Sequence, residues 1–85
     1  MATVQQVRAA MHRAPFLGFD LRLVDGRSFH VPHPDFLAVP QNDRGRELLF
    51  HDADGTSHRL DVLLVVDIEE PALPDSAPSP NGPGA

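Results

Sequence analysis

Five histidines and twelve acidic residues give this chain of 85 residues its only candidates for metal or acid–base chemistry, since it has no cysteine, tyrosine or tryptophan. His30 and His33 come near His51 and His58 if the second and fourth predicted strands adjoin. A metal site needs three or four ligands converging at about 2 Å. In an extended strand residues three apart point to opposite faces, so His30 and His33 converge only if the bend at Pro32 and Pro34 turns one of them. The expectation is therefore structural histidines and no metal. His33 beside Asp35 has the form of an acid–base pair, but no nucleophile accompanies it at a recognisable spacing. A small barrel also fills its interior with its own side chains, so no enzyme, catalytic residue or cofactor is expected. Asp52-Ala53-Asp54-Gly55 has the opening of a calcium loop without the later ligands or the bidentate Glu, and reads as a tight turn.

Charge narrows the partners. The formal net charge is -5, and all seven basic residues are arginine. Arg22, Arg27, Arg44 and Arg46 fall in or near predicted hairpin loops, which gather at the ends of a barrel, and are the candidate RNA-binding set. Asp20, Asp25, Asp43 and Glu47 are interleaved with them, so RNA is possible but disfavoured, because phosphate binding needs a clustered positive face. No stretch reaches the ~20 apolar residues of a membrane span, and no basic-then-apolar leader is visible, so a cytoplasmic location is expected.

The elements that would position these residues follow from local pattern. Thr3 and Gln6 are spaced as a capping box, Val4, Val7, Ala10, Met11 and Ala14 recur at three and four, and Pro15 stops the run, so a helix is predicted over Thr3 to Arg13. Phe19, Leu21 and Leu23 alternate with Asp20, Arg22 and Val24 as in a half-buried strand, and Asp25-Gly26 marks a hairpin. A three-residue loop Asp25-Gly26-Arg27 would pair Leu23 with Phe29 and Leu21 with Val31, giving one apolar face, with Gly26 at positive φ. Pro32 and Pro34 force a bend or bulge. Strands follow at Phe36 to Val39, Glu47 to His51 with Leu48 and Phe50 inward, and Thr56 to Leu60. Asp61 caps a single 3₁₀ turn at Val62 to Leu64, and a last strand runs from Val65 to Glu69. One domain over residues 1–70 results, followed by a disordered tail over 71–85 with five prolines. Pro71-Ala72-Leu73-Pro74 within it fits the PxxP pattern.

The segment Phe19-Asp20-Leu21-Arg22-Leu23-Val24-Asp25-Gly26-Arg27-Ser28-Phe29 resembles the first Sm motif, in which alternating hydrophobics run into an Asp-Gly turn followed by a basic residue. The chain also resembles short uncharacterised bacterial proteins with an Asp-Gly-Arg turn, a Val-Pro-His-Pro-Asp-Phe segment and a Leu-Leu-Val-like last strand. These resemblances imply a mainly β fold, a helix followed by a five-stranded antiparallel SH3-like or Sm-like barrel, with an RNA-binding ring as one implied function. The final strand carries Val65-Val66-Asp67-Ile68 where Sm-like proteins carry their pore signature. The leading expectation is thus a non-enzymatic module that assembles with itself, and with a possible protein partner, through unpaired edge strands. Its interface is expected at Leu48, Phe50, Val65, Val66 and Ile68, joining the last strand to the Leu48 to His51 strand.

Overall fold

A computed structural model describes residues 1–73. Helix α1 spans Val4–Met11 and begins as the sequence predicts. The Gln6 N–H donates to Thr3 Oγ1 at 3.2 Å, and the Thr3 N–H donates to Gln6 Oε1 at 3.0 Å. Two of the donors that a helix start leaves unpaired are thereby satisfied. The helix ends with His12 as its C-cap, two residues before Ala14, and Ala14 is exposed instead of completing the apolar stripe. Eight residues are too few for a helix to persist alone. Val4, Val7 and Ala10 hold it by burial, and a polar clamp ties its outer side to the Pro40 to Asp43 loop. There the Arg8 guanidinium donates to Asp43 Oδ1 at 3.0 Å and to the Pro40 carbonyl at 2.8 Å, and the Gln5 amide donates to Asp43 Oδ2 at 2.9 Å. The Ala14–Pro15 peptide that follows is cis.

Six strands follow: β1 Phe19–Leu23, β2 Ser28–Val31, β3 Leu37–Ala38, β4 Glu47–His51, β5 Ser57–Asp61 and β6 Val65–Glu69. They form two three-stranded antiparallel sheets, ordered β2-β1-β6 and β3-β4-β5, in place of the expected five-stranded barrel. The reason lies at Pro32 and Pro34. Proline supplies no ladder N–H, and after the extended His33 the chain turns through a 3₁₀ helix at Pro34–Phe36. What would be one long strand becomes two, β2 in the first sheet and β3 in the second. The turn at Val62–Leu64 separates β5 from β6 in the same way, capped by Asp61 as predicted, with the Leu63 N–H donating to Asp61 Oδ1 at 2.9 Å.

The first hairpin corrects the predicted register by two residues. Leu21 pairs with Phe29 and Phe19 with Val31, and the Leu23 N–H donates to the Arg27 carbonyl at 2.8 Å. The loop is therefore Val24-Asp25-Gly26. Gly26 has φ +93° at its last position, and its N–H donates to the Leu23 carbonyl at 2.9 Å. A three-residue loop built on a type I turn needs its left-handed residue last, and glycine takes that place without a Cβ penalty. The loop still has odd length, so the apolar face stays inward. A bulge between Arg22 and Leu23 shifts the β1–β6 register, with Leu21 opposite Ile68 and Leu23 opposite Val65.

Between the sheets, Leu21, Leu23, Val31, Leu48, Phe50, Leu60, Val62 and Val65 are buried with Val4 and Val7, and Phe29 packs partly buried against them. The Phe29 ring lies 5.2 Å from that of Phe50 and 5.1 Å from that of His58, joining β2 to β4 and β5 across the seam. No helix among the described residues is long and apolar enough to cross a membrane. Residues 71–73 leave β6 without regular structure, and the remainder of the predicted tail, with the end of the PxxP pattern, lies outside the described residues.

Candidate functional site

The features open to a partner are the sheet edges, and the ladders show which backbone groups point outward. In an antiparallel pair successive residues alternate between partner-facing and outward-facing amides. The Asp52 N–H donates to the Thr56 carbonyl at 2.7 Å and the Val62 N–H to the Arg46 carbonyl at 2.8 Å. With Phe50 opposite His58 and Leu48 opposite Leu60, the even-numbered residues of β5 face β4, and Ser57, Arg59 and Asp61 turn their amides outward. The Leu23–Arg27 bond likewise assigns Phe19, Leu21 and Leu23 to β2, leaving Asp20 and Arg22 to face Glu69 and Asp67 of β6. Ile68 then presents its amide on the outer edge.

Two grooves lie on these sheets. Over the β4–β5 pair, Arg46, Glu47, Arg59, Leu60 and Asp61 line a groove of about 550 Å³. Beside β6, a groove of about 450 Å³ lies between the strand and the start of α1, with Ala2, Gln6 and Ala9 facing Val66, Asp67 and Ile68. The small side chains of Ala2 and Ala9 leave this space open. At one end it is closed by the Ala2 N–H, which donates to the Val65 carbonyl at 2.8 Å.

The ionisable groups are mostly committed to one another. Arg46 Nη2 donates to Asp61 Oδ2 at 2.6 Å. That guanidinium, followed by the Leu63 N–H, holds the Asp61 carboxyl below the usual carboxylate range. Arg22 bonds Glu69 and lies 3.5 Å from Asp67, and Arg27 Nε donates to Asp25 Oδ2 at 2.8 Å. Of the predicted RNA-binding set, Arg44 alone has no acidic partner among the described residues, and its backbone N–H donates to Asn42 Oδ1 at 2.7 Å. Three of the four are thus paired with carboxylates.

The interface residues expected from sequence divide in two. Leu48 and Val65 are fully buried and Phe50 nearly so, all in the core, whereas Val66 is 52% exposed and Ile68 half-buried. The strand expected at the joint is also displaced: β4 lies between β3 and β5, so the edges of that sheet are β3 and β5. Strand order is not legible in alternation, which reads the same in a central and an edge strand.

Three of the five histidines pair singly with nearby side chains. His30 Nδ1 lies 2.5 Å from Asp20 Oδ1, His58 Nε2 lies 2.9 Å from Asp52 Oδ2, and His51 Nδ1 lies 3.2 Å from Ser57 Oγ. Asp52–Gly55 forms the turn expected of it, with the Gly55 N–H donating to the Asp52 carbonyl at 3.0 Å and Gly55 at φ +94°. Among the described residues no three His, Asp or Glu side chains are placed to hold a metal ion. Comparison with protein-family models, curated proteins and solved structures finds no match for the chain.

Proposed function

We propose that this protein is a non-enzymatic β module that assembles with copies of itself through its free sheet edges, with β5 of one copy joined to β6 of the next. The observation that carries the reading is that β5 and β6 are each outermost in a sheet and turn amides outward, with an open groove beside β6. Such edges recruit another strand unless something blocks them. The pairing of β5 with β6 is favoured by charge. Two β6 strands set antiparallel would place Asp67 and Glu69 against acidic residues, and two fully overlapped β5 strands would place Arg59 on Arg59. Like charges directly opposite are destabilising. The β5–β6 joint avoids both conflicts and gives Arg59, which has no ion-pair partner among the described residues, an acidic strand to face. A joint between different surfaces adds head to tail, and it closes a ring if the rotation permits.

Native mass spectrometry across a concentration series tests this. The expected result is a concentration-dependent oligomer that Arg59→Pro reduces in mass, because proline there removes an outward N–H and leaves the β4–β5 ladder intact. Arg59→Glu, which keeps the amide and reverses the charge, is expected to weaken the assembly while preserving circular dichroism. Wild-type protein that stays monomeric at high concentration refutes the reading. The RNA-binding ring is the other reading, and the paired state of Arg22, Arg27 and Arg46 weighs against it. RNA retarded at low salt, with loss of that binding in Arg22→Ala or Arg27→Ala, would favour it instead.

A further inference from the structure

Side-chain face and outward amide are out of step between the two strands of the proposed joint. On β5 the outward amides belong to Ser57, Arg59 and Asp61. Ser57 and Arg59 are exposed, and the buried Leu60 lies between Arg59 and Asp61. The β5 residues able to bond a neighbour are thus those whose side chains leave the core. On β6 the reverse holds. Asp67 and Glu69 are exposed, but their amides are turned to Arg22 and Asp20 of β1. Ile68, opposite Leu21 and packed against the core, presents its N–H and carbonyl outward. The Val66 carbonyl is outward too, because it shares a trans peptide with the inward Asp67 N–H, and so is the Glu70 N–H, which shares one with the inward Glu69 carbonyl. The next carbonyl back, that of Val65, is taken by the Ala2 N–H at 2.8 Å.

This mismatch decides the direction of pairing. In an antiparallel pair, residues that exchange hydrogen bonds stand directly opposite one another and share a face. Within β6, Arg59 would then stand opposite Val66 or Ile68 and never opposite Asp67 or Glu69. The core face of β5 would run into the acidic face of β6, drawing charged groups toward apolar neighbours without a partner, which is costly. In a parallel pair a residue bonds to the two residues that flank its neighbour, and it shares a face with the neighbour between them. Outward amides on the solvent side of β5 then fit outward amides on the core side of β6, and solvent face continues into solvent face.

The register follows from the groups left free. With Ser57 beside Asp67, the Ser57 N–H meets the Val66 carbonyl, the first one free beyond the Ala2 contact, and the Ser57 carbonyl meets the Ile68 N–H. Two residues on, the Arg59 N–H meets the Ile68 carbonyl, the Arg59 carbonyl meets the Glu70 N–H, and Arg59 stands beside Glu69. Moving β5 back by two residues would aim the Ser57 N–H at the Leu64 carbonyl, which already accepts from the Val24 N–H at 2.8 Å. It would also set Asp61 beside Glu69, like charge on like. Charge agrees with the first register. Arg22 alone serves both Asp67 and Glu69, so the solvent face of β6 carries a carboxylate in excess, and Arg59 has no ion-pair partner among the described residues.

We infer that the β5–β6 joint, on whose existence this rests, is parallel, with Ser57 of one copy beside Asp67 of the next and Arg59 recognising Glu69. The occupant of the groove between β6 and the start of α1 is then β5 of a second copy, entering with Ser57 at the end that Ala2 closes.

The chain has no cysteine, so introduced pairs report the joint directly. Ser57→Cys protein is mixed with an equal amount of Asp67→Cys, Ile68→Cys or Val66→Cys protein, each first compared with the wild type by circular dichroism, and treated with oxidised glutathione. Neighbouring strands lie about 4.8 Å apart, within reach of a disulfide, and a residue one position along points to the other face. The expected result is a covalent heterodimer of Ser57→Cys with Asp67→Cys, and none with Ile68→Cys or Val66→Cys. Val66→Cys reports the same face of β6 where Ile68→Cys, at a half-buried site, does not fold. A product with Ile68→Cys or Val66→Cys in place of Asp67→Cys makes the joint antiparallel, which overturns the inference and leaves the joint standing. A product of Arg59→Cys with Asp67→Cys instead moves the register by two residues and overturns the pairing of Arg59 with Glu69. A wild-type oligomer in which none of these pairs cross-links, or a wild-type monomer in native mass spectrometry, removes the β5–β6 joint itself.

Discussion

Leu48 sits at the centre of β4 with no exposed surface, opposite Leu60 and within the cluster that includes Leu21 and Val65. Replacing it with alanine removes three buried carbons and leaves a cavity in a core whose neighbours are held by two sheets. Such a change typically costs about 2–5 kcal/mol. At roughly 0.05–0.15 kcal/mol per residue, a domain of about 70 residues has only about 4–11 kcal/mol in all. A loss near 3 kcal/mol would lower Tm by about 12–24 °C at the 4–8 °C per kcal/mol expected for this size. Thermal unfolding followed by circular dichroism at several protein concentrations measures it. The shift from Leu48→Ala should persist at low concentration, because it arises within one subunit, whereas Val66→Ala, at a half-exposed site, should change subunit stability by no more than about 0.5 kcal/mol. If Leu48→Ala instead unfolds like the wild type and only dissociates the oligomer, Leu48 belongs to an interface and the core assignment is wrong.

Two further outcomes follow from the turns and the clamp. The Asp43 carboxyl is held below the usual range by the Gln5 amide and then Arg8, and Asp61 by Arg46 and then the Leu63 N–H, so both contribute stability at neutral pH. That contribution starts to fall as pH drops below the ordinary carboxylate value near 4 and is gone once pH is under the depressed native values. Tm should therefore fall between pH 5 and pH 3, and Asp43→Asn should lower Tm at pH 7 while shrinking the pH 7 to pH 3 difference; a variant with the full wild-type acid response would disprove the clamp. Gly26 has open space around a Cβ but φ +93°, so Gly26→Ala should cost about 1–2 kcal/mol through backbone strain alone, measured by urea unfolding, and a neutral result would count against the positive-φ loop.

Much of this fold is written locally. Thr3 and Gln6 cap α1 because a hydroxyl and an amide three residues apart reach each other's backbone, whatever lies beyond. Asp61 caps the Val62–Leu64 turn for the same reason, and Gly26 and Gly55 take positive φ where a tight turn demands it. Alternation placed Leu21, Leu23, Leu48, Phe50 and Leu60 inward, because a strand's side-chain period is two and water penalises the wrong face. Pairing is another matter. The hairpin register differs by two residues from the expected one although both choices keep the same face inward, so only hydrogen-bond geometry around Gly26 distinguishes them. Alternation is equally silent on whether β4 is central or β5 is an edge, and on which carboxylate each of Arg22, Arg27 and Arg46 reaches. Those depend on contacts between residues up to 47 positions apart, as for Arg22 and Glu69. The candidate edges are products of that long-range pairing, since a strand becomes an edge only when every other strand has taken its place.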